Sequence, residues 1–106
     1  MTIFVLGINH RTASLEIREK VAFAPEQMAE ALQHVGETAQ VDEVAILSTC
    51  NRTEIYVAGG EPESVLDWLA EYHSLPRLAL DGCCYIYQRE DAVRHMMKVA
   101  SGLDSM

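Results

Sequence analysis

Two apolar, β-branched runs, residues 41–47 and 55–57, stand on either side of one short polar turn, Ser48-Thr49-Cys50-Asn51-Arg52-Thr53-Glu54. A connection that short has no room for the crossover that parallel strands require, so residues 43–49 and 53–58 are antiparallel neighbours. The rest of the chain must be arranged around this hairpin. Residues 2–8 read as a first strand, followed by a long loop over 10–24. Ala24-Pro25-Glu26 opens a helix whose apolar face is Met28, Ala31, Leu32 and Val35, ended by Gly36. After the hairpin, Gly59-Gly60 breaks the chain, and Pro62 opens a helix with Val65, Leu69 and Tyr72 on one face, flanked by Trp68. Residues 83–88 read as a fourth strand. Asp91 opens a third helix with Ala92, Met96, Val99 and Leu103 as its apolar positions. The order β-α-β-β-α-β predicts an α+β, ferredoxin-like split βαβ: a four-stranded antiparallel sheet with two helices on one face, followed by a C-terminal helix.

Composition narrows the classes of function. The 106 residues, 49% hydrophobic, suffice for one core. No apolar run reaches the ~18 residues of a membrane span. The start, MTIFVLGINH, reads as a strand and not as a leader peptide. Three cysteines without a secretion signal predict a reduced, cytoplasmic setting. Cys83 and Cys84 are adjacent and lack the spaced partners of a zinc site, so no metal is expected. There is no Gly-rich dinucleotide fingerprint and no P-loop, hence no nucleotide-cofactor site in this chain. The net charge of −8 argues against broad, non-specific nucleic-acid binding. The charge is uneven, however: residues 26–91 carry 13 acids and 3 bases, and the remainder 3 acids and 5 bases. Arg11, Arg18 and Lys20 lie near the start, and Arg94 and Lys98 near the end. If the fold joins those ends, one face tolerates a phosphate chain; otherwise it is a solvated face.

Cys50 has two readings. As a turn residue with Arg52 two positions on, it is a nucleophile favoured by a nearby cation; as an ordinary cysteine, it is a small buried apolar residue. His34 and His73 read as surface residues, and His10 lies in the loop after the first strand. His95 borders the buried stripe of the third helix, three residues after Ala92 and four before Val99. It either satisfies a core carbonyl or faces a cleft, where it suits proton transfer to a leaving oxygen. The backbone amides of Thr49 to Asn51 are candidates for an oxyanion hole. The ending Ser101-Gly102-Leu103-Asp104-Ser105-Met106 has no cap, which predicts a piece of a longer protein.

The segments GINHRTA (7–13), ILSTCNRTEIY (46–56) and VASGLDSM (99–106) resemble the N-terminal catalytic domain of bacterial glutamyl-tRNA reductases, in order and along the whole chain. The resemblance implies residues 1–90 as that domain and 91–106 as the start of a linking spinal helix, with the NADPH and dimerisation domains absent. It implies that Cys50 attacks the ester of glutamyl-tRNA to form a thioester, which NADPH reduces to glutamate-1-semialdehyde in tetrapyrrole biosynthesis. It implies His95 as a second catalytic residue, and Thr49, Asn51, Arg52 and Ser105 beside Cys50 as substrate-contacting positions. Arg52 suits bidentate recognition of a carboxylate. Ser105, ten residues after His95, lies about −80° around the helix from it, so the two edge one cleft. The implied partners are the aminoacyl end of glutamyl-tRNA, a downstream aminomutase and regulatory proteins, with a homodimer for the full-length protein only. The alternative is a non-catalytic ferredoxin-like interaction module.

Overall fold

The structure, a computed structural model, describes residues 2–102. The hairpin forms as its short turn demands, with β2 (Glu43–Ser48) antiparallel to β3 (Arg52–Ala58). The first strand, β1 (Ile3–Asn9), pairs antiparallel with β3 on one side and with β4 (Tyr85–Gln88) on the other. The sheet order β2-β3-β1-β4 is that of the ferredoxin-like split βαβ.

Period-2 alternation divides the sheet into two faces. Phe4, Leu6 and Ile8 of β1, with Ile55 and Val57 of β3, form a core with the two long helices, α2 (Met28–Thr38) and α3 (Pro62–Tyr72). Ala31 and Val35 enter this core from α2, and Val65, Leu66, Trp68 and Leu69 from α3. The other face carries Val5, Gly7 and Asn9 of β1, Arg52, Glu54 and Tyr56 of β3, and Tyr85 and Tyr87 of β4, each row following from the strand register. The last helix, α5 (Arg89–Ala100), covers part of this face in contact with β1 and β4, and its Ala92, His95 and Val99 are buried. Among the described residues no helix is long and apolar enough to cross a membrane.

The elements differ from the sequence expectation at four places. The loop over 10–24 contains a helix, α1 (Leu15–Val21), started by Ser14, whose side chain accepts from the Ile17 amide. Seven residues with one fully buried side chain are too few for a periodic signal. The helix α2 begins after a 3-10 turn at Pro25–Gln27 and runs through Gly36 to Thr38, because Val35 and Ala39 are both buried and hold its last turn down. Cys83 and Cys84 are not strand residues: their amides donate to the Leu80 carbonyl at 3.1 Å, in the turn closing the short helix α4 (Leu78–Asp81). Fully buried Leu80 anchors that turn in the core. The third helix starts at Arg89 instead of Asp91, and Leu103, Ser105 and Met106 of its expected continuation lie outside the described residues.

Candidate active site

On β3, alternation sends Arg52, Glu54 and Tyr56 to the face under α5. Glu54 is completely buried and is the hub of a polar cluster. Its Oε2 accepts from Arg52 Nη1 at 2.9 Å, from the Tyr85 hydroxyl and from His95 Nε2, and its Oε1 accepts from the Tyr56 hydroxyl. Burial alone raises the pKa of Glu54; the bonds from Tyr56, Tyr85 and His95, with the charge of His95, outweigh it and leave the carboxyl below its ordinary value. Burial, reinforced by the Glu54 carboxylate, pushes both phenols well above the usual tyrosine range. Glu54 is thus an anion held by four donors, and it fixes the proton of His95 on Nε2.

The turn above this cluster is pinned from three directions. The Thr49 hydroxyl accepts from the amides of Asn51 and Arg52 at 3.2 Å, and the Thr49 amide donates to the Arg52 carbonyl at 2.8 Å. Ser48 Oγ lies 3.2 Å from Thr53 Oγ1 and accepts from the Phe23 amide at 2.9 Å. From α1, Arg18 Nη1 donates to the Cys50 carbonyl at 2.9 Å. Cys50 stands exposed at the tip, which removes the reading of it as a buried apolar residue. The Thr49 and Asn51 amides are engaged within the turn, so of that stretch only the Cys50 N–H has no acceptor among the described residues to compete with an oxyanion.

His95 lines a polar cleft of about 390 Å³ together with Asn9, Arg11, Thr12, Tyr85, Tyr87 and Lys98. Asn9 pairs with Arg52 across the sheet, so the cleft and the Cys50 turn share one end of the molecule. Arg52 and His95 meet on Glu54, but among the described residues neither bonds to Cys50. The sequence reads Arg52 as a bidentate carboxylate grip and as a cation beside the thiol. Instead, its side chain is 0% exposed and ion-paired with Glu54, and the cation on the Cys50 turn is Arg18. Ser105 lies outside the described residues.

Glu54, Tyr56, Tyr85 and Arg18 escaped the sequence reading. The polar row at 52, 54 and 56 was the available signal, but a solvated strand face has the same pattern. His10 is exposed as expected, and exposed His34 accepts from Trp68 Nε1 at 2.7 Å. His73 is not simply a surface residue: it is half-buried edge-on against Phe23, its Nε2 is buried without a partner, and burial lowers its pKa.

Among the described residues, the turn after β1 does not fit a dinucleotide cofactor. The connection from β1 to α1, where a pyrophosphate would meet a helix start, has no glycine. Its amides are already used: Arg11 and Thr12 donate to Asn9 Oδ1, and Ala13 to the Asn9 carbonyl. No group of three or more metal-ligating side chains occurs among the described residues.

Comparison with known proteins agrees with this geometry. Residues 6–106 match the family described as "Glutamyl-tRNAGlu reductase, N-terminal domain". The chain is 55% identical to the glutamyl-tRNA reductase of Hahella chejuensis and 57% identical to that of Pseudomonas aeruginosa, covering 100% of this chain and 26% of each relative. It therefore spans about a quarter of the length of the curated relatives it matches. Among solved structures, glutamyl-tRNA reductase from Methanopyrus kandleri is similar at a TM-score of 0.71 and 30% identity, over 98% of this chain and 23% of that one. The two-faced sheet, the hairpin-borne cysteine and the matched sequence together place this chain in the glutamyl-tRNA reductase N-terminal domain family.

Proposed function

We propose that this chain is the acyl-accepting domain of a glutamyl-tRNA reductase. The Cys50 sulfur attacks the carbonyl carbon of the glutamyl ester. A carbon–sulfur bond forms, the bond from that carbon to the terminal ribose oxygen breaks, and the thiol proton ends on the released ribose hydroxyl. A thioester accepts hydride more readily than an oxygen ester, which is the gain from passing through sulfur. His95, oriented by Glu54, is the group assigned to carry the proton. Thr49 shapes the turn, Asn51 flanks the glutamyl group, and Arg52 acts on it through the buried Glu54 network. Ser105 is a further substrate contact. NADPH supplies the hydride when bound by the remainder of the longer protein, and yields glutamate-1-semialdehyde for tetrapyrrole synthesis. A cytoplasmic location, a homodimer of the full-length protein, a downstream aminomutase and regulatory proteins complete the proposal.

The observation that carries this reading is the exposed cysteine at the tip of a turn whose backbone is bonded from α1 and from its own strands. No observation favours a non-catalytic interaction module. Incubation with glutamyl-tRNA labelled in the glutamate leaves label on the protein as a base-labile adduct. Cys50→Ser abolishes that label and Cys83→Ser retains it. Equal labelling of the two variants overturns the assignment.

A further inference from the structure

The Cys50–Asn51 peptide is held by both of its polar edges. On one edge the Asn51 amide donates to the Thr49 hydroxyl at 3.2 Å, a bond made within the turn. On the other the Cys50 carbonyl accepts from Arg18 Nη1 at 2.9 Å, a bond made from another element. In a trans peptide the N–H and C=O point in opposite directions, so the two bonds together oppose a flip of the plane. That plane is joined directly to the Cys50 Cα. Holding it holds the frame on which the Cys50 sulfur and the Cys50 N–H are mounted.

Arg18 reaches this peptide from a fixed base. Its helix α1 is capped by Ser14 and anchored by fully buried Val21, and just beyond it the Phe23 amide donates to Ser48 Oγ at 2.9 Å. Lys20, Arg77 and Arg94 pair with carboxylates, whereas Arg18 bonds to a backbone carbonyl. Its Nε is buried and has no acceptor among the described residues, a desolvation cost that a solvated arginine avoids. A guanidinium kept at that cost, ending on the peptide of the exposed cysteine, belongs to the turn and not to a solvated surface.

We propose that Arg18 is a positioning residue for acyl transfer to Cys50. It fixes the Cys50–Asn51 peptide, so that the Cys50 N–H stays aimed at the oxyanion that forms as the sulfur attacks. The inference rests on the reading of Cys50 as an acyl acceptor. Arg18 acts through the Cys50 peptide and does not touch the substrate. Its loss therefore slows reactions that pass through an oxyanion, where a preset donor counts, and spares reactions of the thiol that form none.

Two small probes separate those reactions. p-Nitrophenyl acetate forms an oxyanion: the Cys50 sulfur takes the acetyl group, nitrophenolate leaves, and the thiol proton goes to water. Iodoacetamide alkylates the same sulfur by displacing iodide and forms none. Both rates are read at Cys50, with Cys50→Ser as background. Arg18→Ala slows acetylation about tenfold or more and changes alkylation less than about twofold. Arg18→Gln, the milder variant should Arg18→Ala fail to fold, behaves alike, and Arg18→Lys, which restores a cationic donor, recovers part of the rate. Lys20→Gln, on the same helix and paired with Glu16, changes neither rate. Equal slowing of both reactions in the arginine variants, or no slowing of acetylation, overturns the proposal. Labelling by glutamyl-tRNA decides the acyl-transfer reading separately. A label on Cys50 with arginine variants as fast as the parent sinks Arg18 alone. Arg18-dependent acetylation with no label keeps the positioning role and sinks the proposed substrate. A parent that takes up neither acetyl nor label sinks both.

Discussion

The ring of Tyr85 lies directly over Gly7. A Cβ built on Gly7 would stand 2.7 Å from both Cζ and the hydroxyl of Tyr85, and 2.9 Å from Glu54 Cγ. The bare backbone at Gly7 is what lets a tyrosine on β4 cross β1 and donate to a glutamate on β3.

Gly7→Ala therefore strikes the polar cluster and not the main core. Tyr85 and Glu54 are both pinned by hydrogen bonds, so the added methyl is expected to cost about 1–3 kcal/mol, as overpacking does. Urea denaturation measures the loss. A variant as stable as the parent shows that the cluster yields without cost.

Glu54→Gln keeps the shape and removes the charge. It leaves the Arg52 guanidinium buried without its counter-ion, at an expected cost of about 3–5 kcal/mol. The amide also no longer fixes the proton of His95, so Cys50 labelling slows. The sign of the pH effect follows from the lowered pKa of Glu54. Below the ordinary 4.5 the unfolded chain binds more protons than the folded one. The stability from Glu54 is complete above that pH and is lost as pH falls through the folded value. Denaturation at pH 6 and pH 4 shows a steeper loss for the parent than for Glu54→Gln; equal losses contradict the assignment.

His73 adds a second acid-sensitive contribution at higher pH. Burial lowers its pKa beneath the ordinary 6.5, so the unfolded chain takes up its proton first and stability falls as pH drops below 6.5. His73→Phe offers Phe23 and Tyr72 another ring and no buried nitrogen to protonate. The variant loses less stability than the parent between pH 7 and pH 5.5. Parallel curves rule out His73 as the source.

The three cysteines separate by environment. Cys50 is exposed, whereas Cys83 and Cys84 are half-buried and burial raises both of their pKa values, that of Cys84 further through Cys83 and Asp81. Cys83 also donates to the Ala79 carbonyl at 3.3 Å. A short pulse of iodoacetamide near neutral pH followed by peptide mass spectrometry places the first label on Cys50. First label on Cys83 or Cys84 contradicts this ordering.

The strands and long helices were legible because their signals are local. The turn from Ser48 to Glu54 forces an antiparallel pair, and Pro62 marks the first residue of α3. The short helices α1 and α4 were not legible, since neither spans enough turns to show a period. The left-handed Arg89, at φ 56°, turns β4 straight into α5 two residues before Asp91, a conformation no side-chain pattern announces.

The sequence by itself determined the order of the strands and long helices, the family, and the place of Cys50 at the tip of a hairpin, because spacing and turn length act between near neighbours. Tertiary structure alone decided what surrounds that tip. Arg52 sits two residues from Cys50, yet its guanidinium is buried on Glu54, while Arg18, 32 positions away, reaches the Cys50 carbonyl. A strand's polar row reads the same whether water or a helix covers it. Here α5 covers it, and that burial turns Arg52, Glu54, Tyr85 and His95 into one charged, hydrogen-bonded cluster.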